Sequence, residues 1–228
     1  MHLIIGGKWS STWTMRGWLA CKLSGLDFTT ETLFLSRPDS KAKLAAISPT
    51  GRIPLLIHDD MRITDTLAIA EYLWELAPDS AIWPADRRAR AAARMVAAEM
   101  HGHFSEVRAA LPMNLIKRWP IKDGVPSNVK LLDRPGVRDN IARVETIWRE
   151  TRRAWGSSGP YLFGSHFTFA DAMYAPMASR LRTYSVDIAA DSQVYVNACL
   201  DHPLILEWIA GAEDQAREIG WEAVAAWP

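Results

Sequence analysis

What most limits the fold of this chain is a change of pattern near residue 78. Upstream, short apolar runs alternate with helical stripes; downstream, the spacing is helical almost throughout. Leu3, Ile4 and Ile5 stop at Gly6-Gly7, as a buried strand does. Met15, Leu19, Ala20 and Leu23 make a helical stripe over 15–24, stopped by Gly25. Residues 27–35 alternate loosely around Thr29, Thr30 and Thr32 and predict a second strand. A short helix is expected over 40–47 and a hairpin of strands 54–58 and 61–64, turning at Asp59-Asp60. Thr66 then opens a helix with Leu67, Ala70, Leu73 and Trp74 inward. The order β-α-β-α-β-β-α suits an α/β domain, with helices covering a small mixed sheet.

Pro78, Asp79, Ser80 and Pro84 read as a linker. Beyond it, residues 86–111 predict one long Ala- and Arg-rich helical stretch ending at Pro112. Further helices are expected over 134–155, 169–184, 191–200 and 203–219, with a Pro- and Gly-bearing loop over 118–135. The expected division is an α/β domain over 1–79 and an all-α domain over 86–228.

Composition excludes several classes of function. The 26 basic residues balance 26 acidic ones, so the chain lacks the basic surplus of a nucleic-acid or anionic-membrane coat. Cys21 and Cys199 form no CxxC pair and have no metal-ligand spacing. No apolar run approaches the roughly 18 residues of a membrane span, and Met1–Gly6 lacks the basic start of a signal peptide. A cytoplasmic protein is expected.

Four local patterns bear on chemistry. Ser10-Ser11-Thr12 can cap the helix that follows, and a helix N-terminus also favours an anion beside a hydroxyl. Ile53-Pro54 is an X–Pro bond, the usual place for a cis peptide, although an ordinary trans proline opening an edge strand is commoner. Asp65-Thr66 is a normal cap; the same pair could hold an ammonium and a carboxylate together. Thr168-Phe-Ala-Asp171 is a capping box with a structural role. His101 and His103 lie at i and i+2, which do not share a helix face, so no metal is expected there. HExxH, GxSxG, GxGxxG and the P-loop pattern are absent.

In this order the four patterns resemble a cytosolic glutathione S-transferase over the whole chain. The resemblance implies a thioredoxin-like N-terminal domain, an all-helical C-terminal domain and a cis proline at Pro54. Residues 10–16 (Ser-Ser-Thr-Trp-Thr-Met-Arg) are most similar to the serine-type zeta, theta and bacterial branch. On that match Ser11 takes the catalytic position, with Ser10 as its competitor. Trp13 departs from the small or Cys residue of the zeta pattern. No cysteine lies near Ser11, unlike the omega-type branch.

The implied mechanism has glutathione as co-substrate and no metal. Ile53 pairs main chain to main chain with the cysteinyl part. Thr66 and Asp65 hold the γ-glutamyl carboxylate and ammonium, and the Ser11 hydroxyl stabilises the thiolate. Arg52, Arg37 and Lys43 are unranked candidates for the glycyl carboxylate. A small hydrophobic electrophile would sit between the domains against Trp9, Trp13, His101, Met113 and Trp119. A homodimer is implied, with no nucleic-acid or membrane partner. The alternatives are a glutathione-dependent cis–trans isomerase of the maleylacetoacetate type, which needs cations around the second pocket, and a non-catalytic relative that keeps the fold for binding.

Overall fold

A computed structural model describes residues 1–35, 37–118, 121–122, 125–126 and 129–220. Its first part runs β1 (His2–Ile5), α1 (Thr12–Ser24), β2 (Thr29–Thr32), α2 (Ser40–Ile47), β3 (Leu55–His58), β4 (Met61–Thr64) and α3 (Thr66–Leu76). The sheet order is β2-β1-β3-β4, with β1 parallel to β2 and antiparallel to β3. This is the expected thioredoxin-like arrangement. Leu3 and Ile5 face a core shared with α1 and α3, whereas Ile4 faces a smaller cluster with Leu33, Leu44 and Leu55. That split follows from the two-residue period of a strand. Gly25 ends α1 at φ 71°, a left-handed cap that glycine adopts without a Cβ penalty.

Two expectations for this part change. The second strand covers only Thr29–Thr32, because β2 is an exposed edge paired on one side. Helix α3 is capped by Asp65 rather than Thr66, and it buries Ile69 with Ala70 and Leu73 while Leu67 and Trp74 stay half-buried.

The second part is helical: α4 (Arg87–Gly102), α5 (Ser105–Ala110), α6 (Val129–Leu132), α7 (Val137–Trp155), α8 (Phe169–Thr183), α9 (Ala190–Leu200) and α10 (Pro203–Ile219). A ladder of β5 (Ile121–Lys122) with β6 (Val125–Pro126) is inserted before α6. The single long helix expected over 86–111 is two helices. Phe104 turns the chain at φ 68° with its side chain 4% exposed. A left-handed phenylalanine is strained, and burial of its ring is what holds it there.

Helix α8 is the axis of this part, with every residue except Arg182 buried. Its N-terminus carries the expected capping box. Asp171 accepts from the Thr168 N–H (2.9 Å) and hydroxyl (3.0 Å), and also from the Leu162 N–H (3.0 Å) and the Tyr195 hydroxyl (3.2 Å).

Helix α1 packs on α3 and α8, so it couples the sheet to the helical part. The junction between α3 and α4 is clamped by Arg94, which binds Glu71 through two 2.7 Å hydrogen bonds and lies over the Trp74 and Trp83 rings. Among the described residues no helix is long and apolar enough to cross a membrane.

Candidate active site

Ser11 is the N-cap residue of α1, yet its side chain makes no capping bond. Its N–H donates to the Gly7 carbonyl at 3.0 Å, and its own carbonyl accepts from the Thr14 hydroxyl at 3.2 Å. Among the described residues the Ser11 hydroxyl has no partner, and it stands at a helix N-terminus, where positive potential and backbone donors favour an anion. A cavity of about 200 Å³ opens there, lined by Gly6, Gly7, Trp9, Ser10, Ser11, Phe34, Leu35 and Ile53.

A larger cavity of about 480 Å³ adjoins it, sharing Ile53 and bordered by Trp13, Thr50, Arg52, Pro54, Thr64, Asp65, Thr66 and His101. The Ile53–Pro54 peptide is cis. Ile53 lies just outside β3, and its backbone N–H and C=O enter no hydrogen bond among the described residues. Two glycines permit the close packing around it. A methyl group on Gly6 would come within 2.8 Å of Ile53 Cδ1, and one on Gly17 within 2.7 Å of Pro54 Cγ. Glycine thus lets α1 and the serine loop approach the proline segment.

Asp65 sits at φ 79°, a conformation uncommon for a residue with a side chain. Its carboxylate is used at both oxygens. Oδ1 accepts from the Leu67 N–H (2.8 Å) and the Ala68 N–H (3.4 Å), whereas Oδ2 lies 2.6 Å from His101 Nε2. The neighbouring Thr66 is 1% exposed and its hydroxyl has no partner among the described residues. An orphaned hydroxyl in a cavity wall is a group awaiting a ligand or water, because burial without a partner costs roughly 1–3 kcal/mol.

Trp13 stands between the two parts of the molecule. Its ring meets His101 at 5.1 Å and lies beneath the Arg16 (4.7 Å) and Arg108 (5.0 Å) guanidinium groups. Arg16 and Arg180 are 1% and 4% exposed, and among the described residues their side-chain hydrogen bonds go to carbonyl groups of Met173, Leu111 and Pro176. Burial first, then mutual repulsion with Arg108, pulls both guanidinium groups below their ordinary value; Arg180 falls to about 9.

The structure thus brings Ser11, Ser10, Ile53, Pro54, Arg52, Asp65, Thr66, Trp9, Trp13 and His101 to two adjoining cavities. Met113 is 2% exposed, belongs to the core and lines neither cavity. Trp119 lies outside the described residues. Of the three cations, Arg52 lines the larger cavity, Arg37 lies over the Phe34 ring (5.0 Å), and Lys43 pairs with Asp39 (2.6 Å). The sequence reading missed Arg108, Phe34, Thr50 and Thr64. Phe34 and Thr50 lie in loops and Thr64 ends β4, and tertiary packing brings these three to the cavities, whereas Arg108 on α5 reaches only the Trp13 ring; none has a sequence signature.

Family models agree with this geometry. Residues 10–76 match the glutathione S-transferase N-terminal domain and residues 85–227 the C-terminal domain. A probable maleylacetoacetate isomerase of Caenorhabditis elegans is 25% identical over 186 residues, 82% of each chain. Glutathione S-transferase 1 of Dianthus caryophyllus is 25% identical over 182 residues, 79% of this chain and 77% of that one. Among solved structures, a Burkholderia glutathione transferase homologue with bound glutathione superposes with TM-score 0.67 at 24% identity, covering 93% of this chain and 98% of that one. With the N-terminal model matched over residues 10–76 and the C-terminal model over 85–227, the chain belongs to the glutathione S-transferase family.

Proposed function

We propose that the protein binds glutathione across the two cavities and activates its thiol for attack on a second substrate held between the domains. The observation that carries this reading is Ile53. Its free peptide groups stand where the cavities meet, with the free Ser11 hydroxyl on one side and Asp65-Thr66 on the other. An extended tripeptide anchored at Ile53 would place its γ-glutamyl end at Thr66 and Asp65 and its sulfur at Ser11. Its glycyl end would run toward Phe34 and Leu35. Arg37, stacked on Phe34, then ranks above Arg52 and Lys43 as the cation for the glycyl carboxylate.

Ser11 acts here as a hydrogen-bond donor to sulfur, not as a nucleophile. A bond to a charged acceptor contributes roughly 1.5–3 kcal/mol. That corresponds to about one to two pKa units on a thiol that otherwise titrates near 8.5. Ser11→Ala should raise the apparent pKa of bound glutathione by that amount, read from the ultraviolet thiolate absorbance against pH. Ser10→Ala should leave it unchanged. A shift with Ser10→Ala and none with Ser11→Ala would reverse the assignment.

A second reading is favoured by Arg16, Arg108 and Arg180. The charged groups that most perturb the two buried guanidinium groups are other arginines, and no carboxylate figures among them. Their positive charge behind Trp13 suits an anionic second substrate, as in the glutathione-dependent isomerisation of a dicarboxylate. The isomerase names among the relatives point the same way. The family is usually dimeric. Met61 on β4 (42% exposed) and Met95 on α4 (65%) are exposed apolar side chains, one on each domain, that such a pairing could cover.

A further inference from the structure

We infer that α10 belongs to the thiolate-activating apparatus, with Gln215 and Trp208 as positioning residues for the loop that carries Ser11. The inference rests on the reading of Ser11 as the donor to sulfur. Between β1 and α1 the chain has little support of its own. The Gly7 carbonyl accepts from the Ser10 N–H (3.4 Å) and the Ser11 N–H (3.0 Å), and the Trp9 carbonyl accepts from the Leu115 N–H (3.0 Å).

Lys8, between them, is held at both peptide groups by α10. Its N–H donates to Gln215 Oε1 at 2.8 Å, and its carbonyl accepts from Trp208 Nε1–H at 3.1 Å. Its Nζ lies 5.3 Å from the Trp208 ring centroid. Gln215 Nε2 then donates to the Thr32 hydroxyl at 3.0 Å, which ties the same loop to β2.

The spacing in α10 fits this task. Trp208, Gly211 and Gln215 stand at i, i+3 and i+7, on one helix face. Gly211 leaves the notch that the Lys8 side chain fills; a methyl group there would collide with Nζ. A glycine inside a helix costs about 1 kcal/mol relative to alanine, and this close approach is a physical reason for it. Neither Gln215 nor Trp208 lines the cavities. Their influence on the sulfur therefore runs through the peptide of Lys8 to Gly7 and Ser11.

The test titrates the thiolate absorbance of bound glutathione in wild type, Ser11→Ala, Gln215→Leu, Gln215→Glu and Trp208→Phe. Gln215→Leu removes the acceptor for the Lys8 N–H at a half-buried position. It should raise the apparent thiol pKa part of the way toward the Ser11→Ala value. It should also lower kcat about threefold to tenfold, the worth of one hydrogen bond, with KM for glutathione within about twofold. Gln215→Glu keeps an acceptor and should restore the wild-type curve. Trp208→Phe keeps a ring but loses the donor, and should move the curve in the same direction as Gln215→Leu. If Ser11→Ala shifts the titration and neither Gln215→Leu nor Trp208→Phe does, α10 is only a packing element and the inference is wrong. If Ser11→Ala itself shifts nothing, the serine reading fails, and the inference falls with it.

Discussion

Removing the carboxylate of Asp171 should make the protein less stable by an amount that depends on pH in an unusual sense. The group is fully buried and serves two N–H donors and two hydroxyls. Burial outweighs these hydrogen bonds and pushes the carboxyl from 3.8 up to about 6. In Asp171→Ala the Leu162 and Thr168 N–H groups are left unpartnered, at roughly 1–3 kcal/mol each. Relief of the buried charge offsets part of this, about 3 kcal/mol for a shift of some two units. The expected net loss at pH 7 is at most about 3 kcal/mol, against a typical total of 5–15 kcal/mol.

The sign of the pH dependence follows from linkage. A raised folded pKa means that the folded state binds the proton more tightly. The associated stabilisation is complete below about pH 4 and is lost as pH rises through about 6. Wild type therefore gains about 1 kcal/mol from this group between pH 7 and pH 5, and Asp171→Ala gains none. Urea unfolding of both proteins at the two pH values isolates the effect, because other titrating groups cancel in the double difference. An equal gap at both pH values, or a wider gap at pH 7, would refute the raised pKa.

Two further outcomes follow from the site. His101→Leu removes the partner of Asp65 Oδ2 but leaves Oδ1 to cap α3, so glutathione affinity measured by calorimetry should fall about threefold to tenfold with little change in Tm. Asp65→Ala should cost more in both readouts, and the reverse order would sink the division of labour between the two oxygens. Gly17→Ala drives a methyl group against the rigid Pro54 ring and should destabilise by about 1–3 kcal/mol while weakening glutathione binding; a variant as stable as wild type would show that α1 and Pro54 are not in tight contact.

The elements that sequence alone located are those punctuated by local chemistry. Gly25 ends α1, Asp59-Asp60 turns the hairpin, and Thr168 with Asp171 opens α8, each within a few residues of its own signal. The patterns at Ser11, Ile53-Pro54 and Asp65-Thr66 have sequence signatures, but those signatures favour an ordinary cap or a trans proline, and a role at a site came only from the family resemblance. The break at Phe104 was not, because alanine and arginine favour helix on both sides and a left-handed phenylalanine has no signature of its own. The pairing of His101 with Asp65 spans 36 positions and exists only once α4 packs beside α3. Trp9 and Trp13, both expected against the electrophile, line the smaller and larger cavities respectively, Trp13 from the first turn of α1, whereas Trp148 and Trp208 are wholly buried.

The two hydrogen bonds that hold Lys8 span 207 and 200 positions. During synthesis the β1 loop leaves the ribosome long before α10 does. A nascent α/β domain can form its sheet from residues already translated, yet Lys8 has neither partner until Trp208 has emerged and lacks the second until Gln215 has. Completion of the β1–α1 loop's hydrogen bonds is thus coupled to completion of the helical domain, and a chain interrupted before α10 would carry Lys8 without these two partners.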